Sequence, residues 1–276
     1  MWPKTMTMVD PEFFDVKYAI NPHMTNEKGE LNTIDKPKAR AQWNALKNSF
    51  ESLGMTVEVL AGIEGLPDMV FCANQTFPFI QSEKKSIVLS QMQSEYRQPE
   101  VQAFRSWAQS KDWETFEVKG TNFEGMGDAL WDYEGQRIFG GFGFRTHPEV
   151  YSQLERWVEQ PIIALELVDD RFYHLDTCLA ILGRGQAAFV EEAFSTEAIA
   201  TLKGAFDVLL PVPIDEATRA LACNMCCVNG RDVIIDKKAK ITAEMLDFHL
   251  FEPHLVDTSE YIKSGGSVFC MKQLLF

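Results

Sequence analysis

Five residues with reactive or hydrogen-bonding side chains, Asn74, Glu124, His174, Asn224 and Cys270, follow one another at intervals of 50, 50, 50 and 46 positions. A period near 50 marks one supersecondary unit repeated about an axis, each copy offering a side chain to the centre. In such a ring Cys270, His174 and Glu124 meet in space although they lie far apart in the chain. A thiol, an imidazole and a carboxylate together are the equipment of an enzyme with a cysteine nucleophile.

Helices placed by apolar periodicity keep time with these marks. Over 37–54, Trp43, Leu46, Phe50 and Leu53 recur at helical spacing and Gly54 supplies a stop. A second helix covers 98–112, with Pro99 in its first turn and Val101, Phe104 and Trp107 on one face. Others begin near Pro148, Ser195 and Thr242. From helix start to the next marked residue the count is 37 in the first unit, then 26, 26, 29 and 28. Short β-rich runs lie between, at 5–9, 56–60, 86–90, 137–141, 161–168, 186–190, 207–212, 232–236 and 267–271. Each unit reads as a helix, a strand, a polar residue at a strand end or turn, and another strand. No linker rich in Pro, Gly or Ser interrupts the rhythm. Residues 1–276 are therefore read as one α/β domain, a ring of five units with pseudo-fivefold symmetry, in which the run around Cys270 lies near 5–9.

Composition narrows the partners. With 26 Lys and Arg against 40 Asp and Glu, the net charge of −14 argues against nucleic acid or an anionic membrane surface, both of which need a basic face. The N-terminal MWPKTMTMVDPEFF lacks the apolar run of a signal peptide, and no stretch approaches a membrane span of about 20 apolar residues. Six cysteines, several in apolar segments, fit a reducing compartment better than a disulfide framework, so a cytoplasmic protein is expected.

Taken alone, each marked residue has a plainer reading. Cys270, beside Val268 and Phe269, would ordinarily be a small buried hydrophobe; Gly265-Gly266-Ser267 just before it permit close backbone approach to a ligand. His174 would more often be a hydrogen-bonded structural residue, but Asp176 two positions on would share its side of a strand and set a carboxylate beside the imidazole. Such a ring can act as the acid or base that a thiol nucleophile requires. Glu124 and Asp128, with Gly125 and Gly127 around them, form either a solvated acidic turn or carboxylates turned inward. Asp68 and Asn74 flank the apolar Val70, Phe71 and Cys72 and could be turn residues. Asn224 reads best as a structural amide. Cys223, Cys226 and Cys227 lack a second ligand pair at zinc spacing, so no metal is expected. Nor does any glycine-rich stretch match a phosphate-binding loop. One thiol, one imidazole and several carboxylates or amides suit a cationic, planar, many-donor substrate, because a guanidinium presents five N–H donors in one plane.

LPDMVFCAN, FEGMGDALW, FGFRTHPE, HLDTCLAI and the C-terminal GGSVFCMK, in this order and spacing, resemble the guanidino-group-modifying superfamily. That superfamily comprises arginine deiminases, dimethylarginine dimethylaminohydrolases, amidinotransferases and arginine dihydrolases. The opening FFDVKYAINPHM resembles the dihydrolase branch, and the likeness runs over essentially the whole chain. It implies the five-bladed α/β propeller, or pentein, fold.

The resemblance also implies roles. Cys270 would attack the guanidinium carbon. His174 would carry protons to the departing amine and from the hydrolytic water, with Glu124 binding guanidinium and orienting His174. Asn74 stands where many members carry aspartate, and asparagine there resembles the dihydrolase branch. Asp176 would grip another guanidinium edge, Asp68 the substrate α-amino group and Arg145 its α-carboxylate, with Asp128 supporting from behind. Where relatives place a second carboxylate-binding arginine, this chain has Gln91 and Gln93, with Arg97 further along. No cofactor is implied. Hydrolysis of arginine or a substituted arginine leads; transfer of the amidino group to an amine, and ligand binding without turnover, stay open.

Overall fold

The computed structural model describes residues 2–276, which form five three-stranded sheets around a common axis. The elements of the first blade are β1 (Thr5–Val9), α1 (Lys36–Ser52) and β2 (Thr56–Leu60). The second holds β3 (Thr76–Gln81), β4 (Lys84–Leu89), α2 (Gln98–Ser110) and β5 (Glu114–Glu117). The third holds the single turn α3 (Gly125–Asp128), then β6 (Ala129–Asp132), β7 (Arg137–Phe142), α4 (Tyr151–Val158) and β8 (Ile162–Glu166). In the fourth are β9 (Leu179–Gly183), β10 (Gln186–Phe189), α5 (Thr196–Ala205) and β11 (Val208–Pro211). After the short α6 (Ile214–Arg219), the fifth holds β12 (Cys226–Cys227), β13 (Asp232–Asp236), α7 (Lys240–Phe248) and β14 (Glu252–Val256). The turn α8 (Ser259–Ile262) leads to β15 (Gln273–Leu275), which pairs antiparallel with β1 and closes the ring.

Every sheet repeats one pattern. A central strand pairs antiparallel with the strand before it and, after a crossover through a helix, parallel with the strand behind it. Helices form where the periodicity placed them. Asp35 caps α1 by accepting from the Lys38 amide at 3.0 Å, and Ala39, Trp43, Leu46 and Phe50 bury its inner face. Ser195 caps α5 in the same way, accepting from the Ala198 amide. The two largest apolar clusters fill most of the ring, and Phe269, beside Cys270, packs against both.

The structure corrects three local expectations. The sheets have three strands rather than two, because β3, β6, β9, β12 and β15, each just after a marked residue, are strands as well. These first strands sit side by side around the axis, as the contacts of β9 with β6 and β12 and of β15 with β3 show. Residues 267–271 are a turn and not a strand: the Asn224 Oδ1 accepts from the Ser267 and Cys270 amides at 3.0 and 3.1 Å, which takes them from any ladder. His174 and Asp176 lie in a 3-10 turn (Leu175–Thr177, with His174 as its cap) and so point to different partners.

Candidate active site

All five marked residues precede the first strand of a sheet by a few positions, so the repeat delivers them to one end of the axis. There they line or back a narrow, partly open cavity of about 20 Å³ whose wall includes Asp68, Asn74, Arg97, Arg145, His174 and Cys270. Ile20, Asn21 and Met24 roof it, held by Asn21 Nδ2 donating to the Ser264 carbonyl (3.0 Å) and Arg145 Nη2 donating to that of Ile20 (2.6 Å). Beside the roof, Tyr18 and Tyr96 stack with ring centroids 4.4 Å apart.

Cys270 donates its thiol hydrogen to Asp176 Oδ2 across 3.1 Å, and Asn224 Nδ2 sits 3.1 Å from the same sulfur. Burial, together with the charge of Asp176, pushes the Cys270 pKa well above the ordinary thiol range and favours the thiol. Burial also pushes Asp176 up to about 7, against the opposing pull of Cys270, Lys272 and Asn224. Its second oxygen, Oδ1, is buried without a hydrogen-bond partner. Asn224, read from the sequence as scaffold, thus does two jobs. It shapes the turn that presents Cys270 and it touches the sulfur itself.

His174 Nε2 lies 2.7 Å from Glu124 Oε2 and 4.0 Å from Asp128 Oδ2. Burial raises the Glu124 pKa, but the Arg145 guanidinium and the His174 contact outweigh it and hold the carboxyl well below its usual range. Arg145 Nη1 donates to Glu124 Oε2 at 3.1 Å, and the Gln93 amide donates to Oε1 at 3.0 Å. Asp128 lies behind this pair: Thr146 donates to Oδ2 and the Leu175 amide to Oδ1, and burial pushes it up to about 6.

Two glycines let these turns interlock. Gly125 has φ +55°, and a Cβ there would stand 2.6–2.8 Å from the carbonyls of Ala73, Asn74 and Thr76. At Gly127 a Cβ would lie 2.2 Å from Asn74 Nδ2 and 3.4 Å from the His174 ring.

Arg97 answers the question left by the glutamines. Gln91 and Gln93 are exposed, whereas Arg97 is buried at the cavity. It is nonetheless fully engaged, donating to Glu100, to the carbonyls of Asp68 and Phe71, and through Nη1 to Asn74 Oδ1 at 3.0 Å. That last bond fixes the Asn74 amide: its oxygen faces Arg97, and its Nδ2 is buried with no partner. Asp68 accepts from Ser264 at 3.0 Å through Oδ1 and keeps Oδ2 unpartnered. Three unpartnered polar atoms, one amide donor and two carboxylate oxygens, therefore belong to residues around one cavity. All three are free to meet a polar ligand, an acceptor at Asn74 and donors at Asp68 and Asp176.

Lys272, two residues past Cys270, is fully buried with no hydrogen-bond partner for its ammonium, which lies over the Phe269 ring. Burial lowers its pKa to about 8. Nothing in the sequence pattern announced it. Away from the cavity, Asp232, Glu252 and His254 gather three potential metal-ligating atoms, but Asp232 already pairs with His254 at 2.7 Å and Glu252 with Arg231. All six cysteines are free and buried, and no helix of the described residues is long and apolar enough to cross a membrane.

Residues 10–276 match the model of the N,N dimethylarginine dimethylhydrolase family, eukaryotic. The N(G),N(G)-dimethylarginine dimethylaminohydrolase of Mycobacterium tuberculosis is 36% identical over 264 residues, which are 95% of this chain and 83% of that one. The bifunctional arginine dihydrolase/ornithine cyclodeaminase ArgZ of Synechocystis is 30% identical over 96% of this chain, and this chain spans only 36% of its length. Among solved structures, the N-terminal domain of a cysteine-to-serine variant of ArgZ bound to substrate superimposes with a TM-score of 0.91 at 28% identity, covering 98% of this chain and 97% of that one. A dimethylarginine dimethylaminohydrolase adduct with S-methyl-L-thiocitrulline shares the fold, with a TM-score of 0.80 at 22% identity and full coverage of both chains.

Proposed function

This chain belongs to the family of dimethylarginine dimethylaminohydrolases and arginine dihydrolases, and on that premise we propose that it hydrolyses the guanidinium of free arginine or a substituted arginine through a covalent intermediate on Cys270. The observation that carries this reading is the pairing of Cys270 with Asp176 and of His174 with Glu124 around one cavity.

The chemistry follows from the charges. A neutral thiol is a weak nucleophile, and burial beside Asp176 favours it. An entering guanidinium brings a positive charge beside the sulfur, which offsets burial and the charge of Asp176 and favours the thiolate. The thiol proton passes to Asp176 as the sulfur–carbon bond forms. His174, held by Glu124, then delivers a proton to the departing amine as the carbon–nitrogen bond breaks, leaving an amidino-thioether. Water attacks that carbon, giving its proton back to His174, and the carbon–sulfur bond breaks to release a ureido product as Asp176 returns its proton to the departing sulfur. The unpartnered oxygens of Asp176 and Asp68 supply acceptors for the guanidinium edge and the substrate ammonium. Arg145, at the same wall, is the group for the α-carboxylate, which would compete with Glu124 for its donors.

Asn74 favours a second cycle on the first product. Its free group is a donor, which suits the oxygen of a ureido group and not the N–H edge of a guanidinium. A site that holds the ureido product beside Cys270 would carry arginine through to ornithine, ammonia and carbon dioxide.

The test is incubation of the purified protein with arginine, methylarginines and agmatine, followed by assay of ammonia, citrulline and ornithine. Ornithine and ammonia from arginine alone support the proposal. Turnover that appears only on adding an amine acceptor would instead establish amidino transfer, and no turnover with any guanidine would leave a binding protein.

A further inference from the structure

The short turn at Pro22–Met24 has two faces. Met24 and the neighbouring Ile20 and Asn21 roof the catalytic cavity. Pro22, His23 and Thr25 instead form one wall of a second, open cleft of about 720 Å³, a volume typical of small-molecule sites. Its other walls carry Lys38, Arg219, Lys237, Lys238 and Lys263, against only two acids, Asp257 and Glu260. The local balance is +3 in a chain whose net charge is −14.

The acids are already in use. Glu260 takes Lys38 at 2.9 Å and Lys263 at 2.6 Å, and Asp257 takes Lys237 at 2.8 Å. Arg219 stands 4.0 Å from Asp215 with 83% of its side chain exposed, and Lys238 makes no ion pair among the described residues. Cations gathered in a concave surface repel one another and focus a positive field into it. A large polyanion would meet the acidic remainder of the molecule, so the cleft suits a small anion.

We propose that this cleft binds a small multivalent anion, of phosphate or carboxylate type, and that its binding holds the Pro22–Met24 turn closed over the catalytic cavity. The turn is mechanically joined to the cleft. Asn32 Nδ2 donates to the carbonyls of both His23 (2.6 Å) and Lys263 (3.0 Å), and Lys263 Nζ donates to the Thr33 carbonyl at 3.0 Å. An anion bridging Lys238 and Lys263 to the outer side of the turn contacts a wall that exists only when the turn is down. A ligand shifts an equilibrium by its differential affinity for the two states, so bound anion favours closure. The site lies outside the catalytic cavity and would repel a cationic guanidine, so the inference stands whichever guanidine is the substrate.

Titration calorimetry at constant ionic strength, with tripolyphosphate and with citrate as probes, tests the site on the wild type and on the double variant R219E/K238E. Saturable one-to-one binding to the wild type, at least tenfold weaker in the variant, is expected, and the tighter of the two probes identifies the class of anion. Both positions are exposed, and the variant should keep its melting temperature and anion-free activity. No saturable binding of either probe, or equal binding to both proteins, overturns the site. Amide exchange over 20–25 should slow at least severalfold with the anion bound; binding without that protection overturns the coupling to the turn.

Discussion

Replacing Asn74 by aspartate should separate the two hydrolytic cycles. The amide oxygen is fixed by Arg97 Nη1 at 3.0 Å, so an aspartate retains that contact and strengthens it as an ion pair. The other atom changes from an unpartnered buried donor to an acceptor. A guanidinium gains a partner by this exchange, whereas a ureido oxygen loses its donor and meets a like partial charge. Loss of one buried hydrogen bond, with the partner left unsatisfied, costs about 1–3 kcal/mol. The repulsion adds about 1 kcal/mol more, so the second cycle should slow by about 30- to 1,000-fold. Asn74→Asp should therefore consume arginine within about tenfold of the wild-type rate while citrulline accumulates in place of ornithine. Amino-acid analysis of a time course measures both. An unchanged ratio of ornithine to citrulline in the variant would refute the donor argument, as would a wild type that stops at citrulline.

Two further outcomes follow from the packing. Gly127→Ala places a Cβ 2.2 Å from Asn74 Nδ2, and the Arg97 contact prevents easy retreat; kcat/KM should fall by at least about tenfold with a stability loss of about 1–3 kcal/mol, read by steady-state kinetics and denaturant unfolding. Lys272→Met removes a buried ammonium whose pKa burial lowers from 10.5 to about 8. Because the folded-state value is depressed, the penalty is full below about pH 8 and vanishes above the unfolded value near 10.5. The variant should thus be more stable than wild type by about 3 kcal/mol at pH 7, with the gain shrinking between pH 8 and 10.5; a constant difference across that window would show that charge is not the cause.

The register of the five marks exposes the ring independently of its strands, because a repeat is visible in spacing even where its strands are not. Central strands such as 232–236, DVIID, were legible from their β-branched runs and occur where expected. The axial strands are illegible in the sequence for physical reasons. β3 carries Pro78, β12 has two residues, and all of them abut turns whose polar residues mask the pattern. The run 267–271 erred in the opposite direction: its composition favours a strand, but the side chain of Asn224, 46 positions away from Cys270, claims its amides. Local propensity cannot register a tertiary acceptor. The same limit hid the distinct directions of His174 and Asp176, the use of Arg97 as a clamp on Asn74, and the buried charge of Lys272.

The most direct test of the central claim is mass spectrometry of enzyme quenched during turnover of arginine. The account predicts an amidino adduct on the peptide containing Cys270 in the wild type. It also predicts that Cys270→Ser, folded as judged by circular dichroism, carries no such adduct and forms no ammonia. Ammonia released at the wild-type rate by Cys270→Ser, or an adduct on another residue, would contradict it.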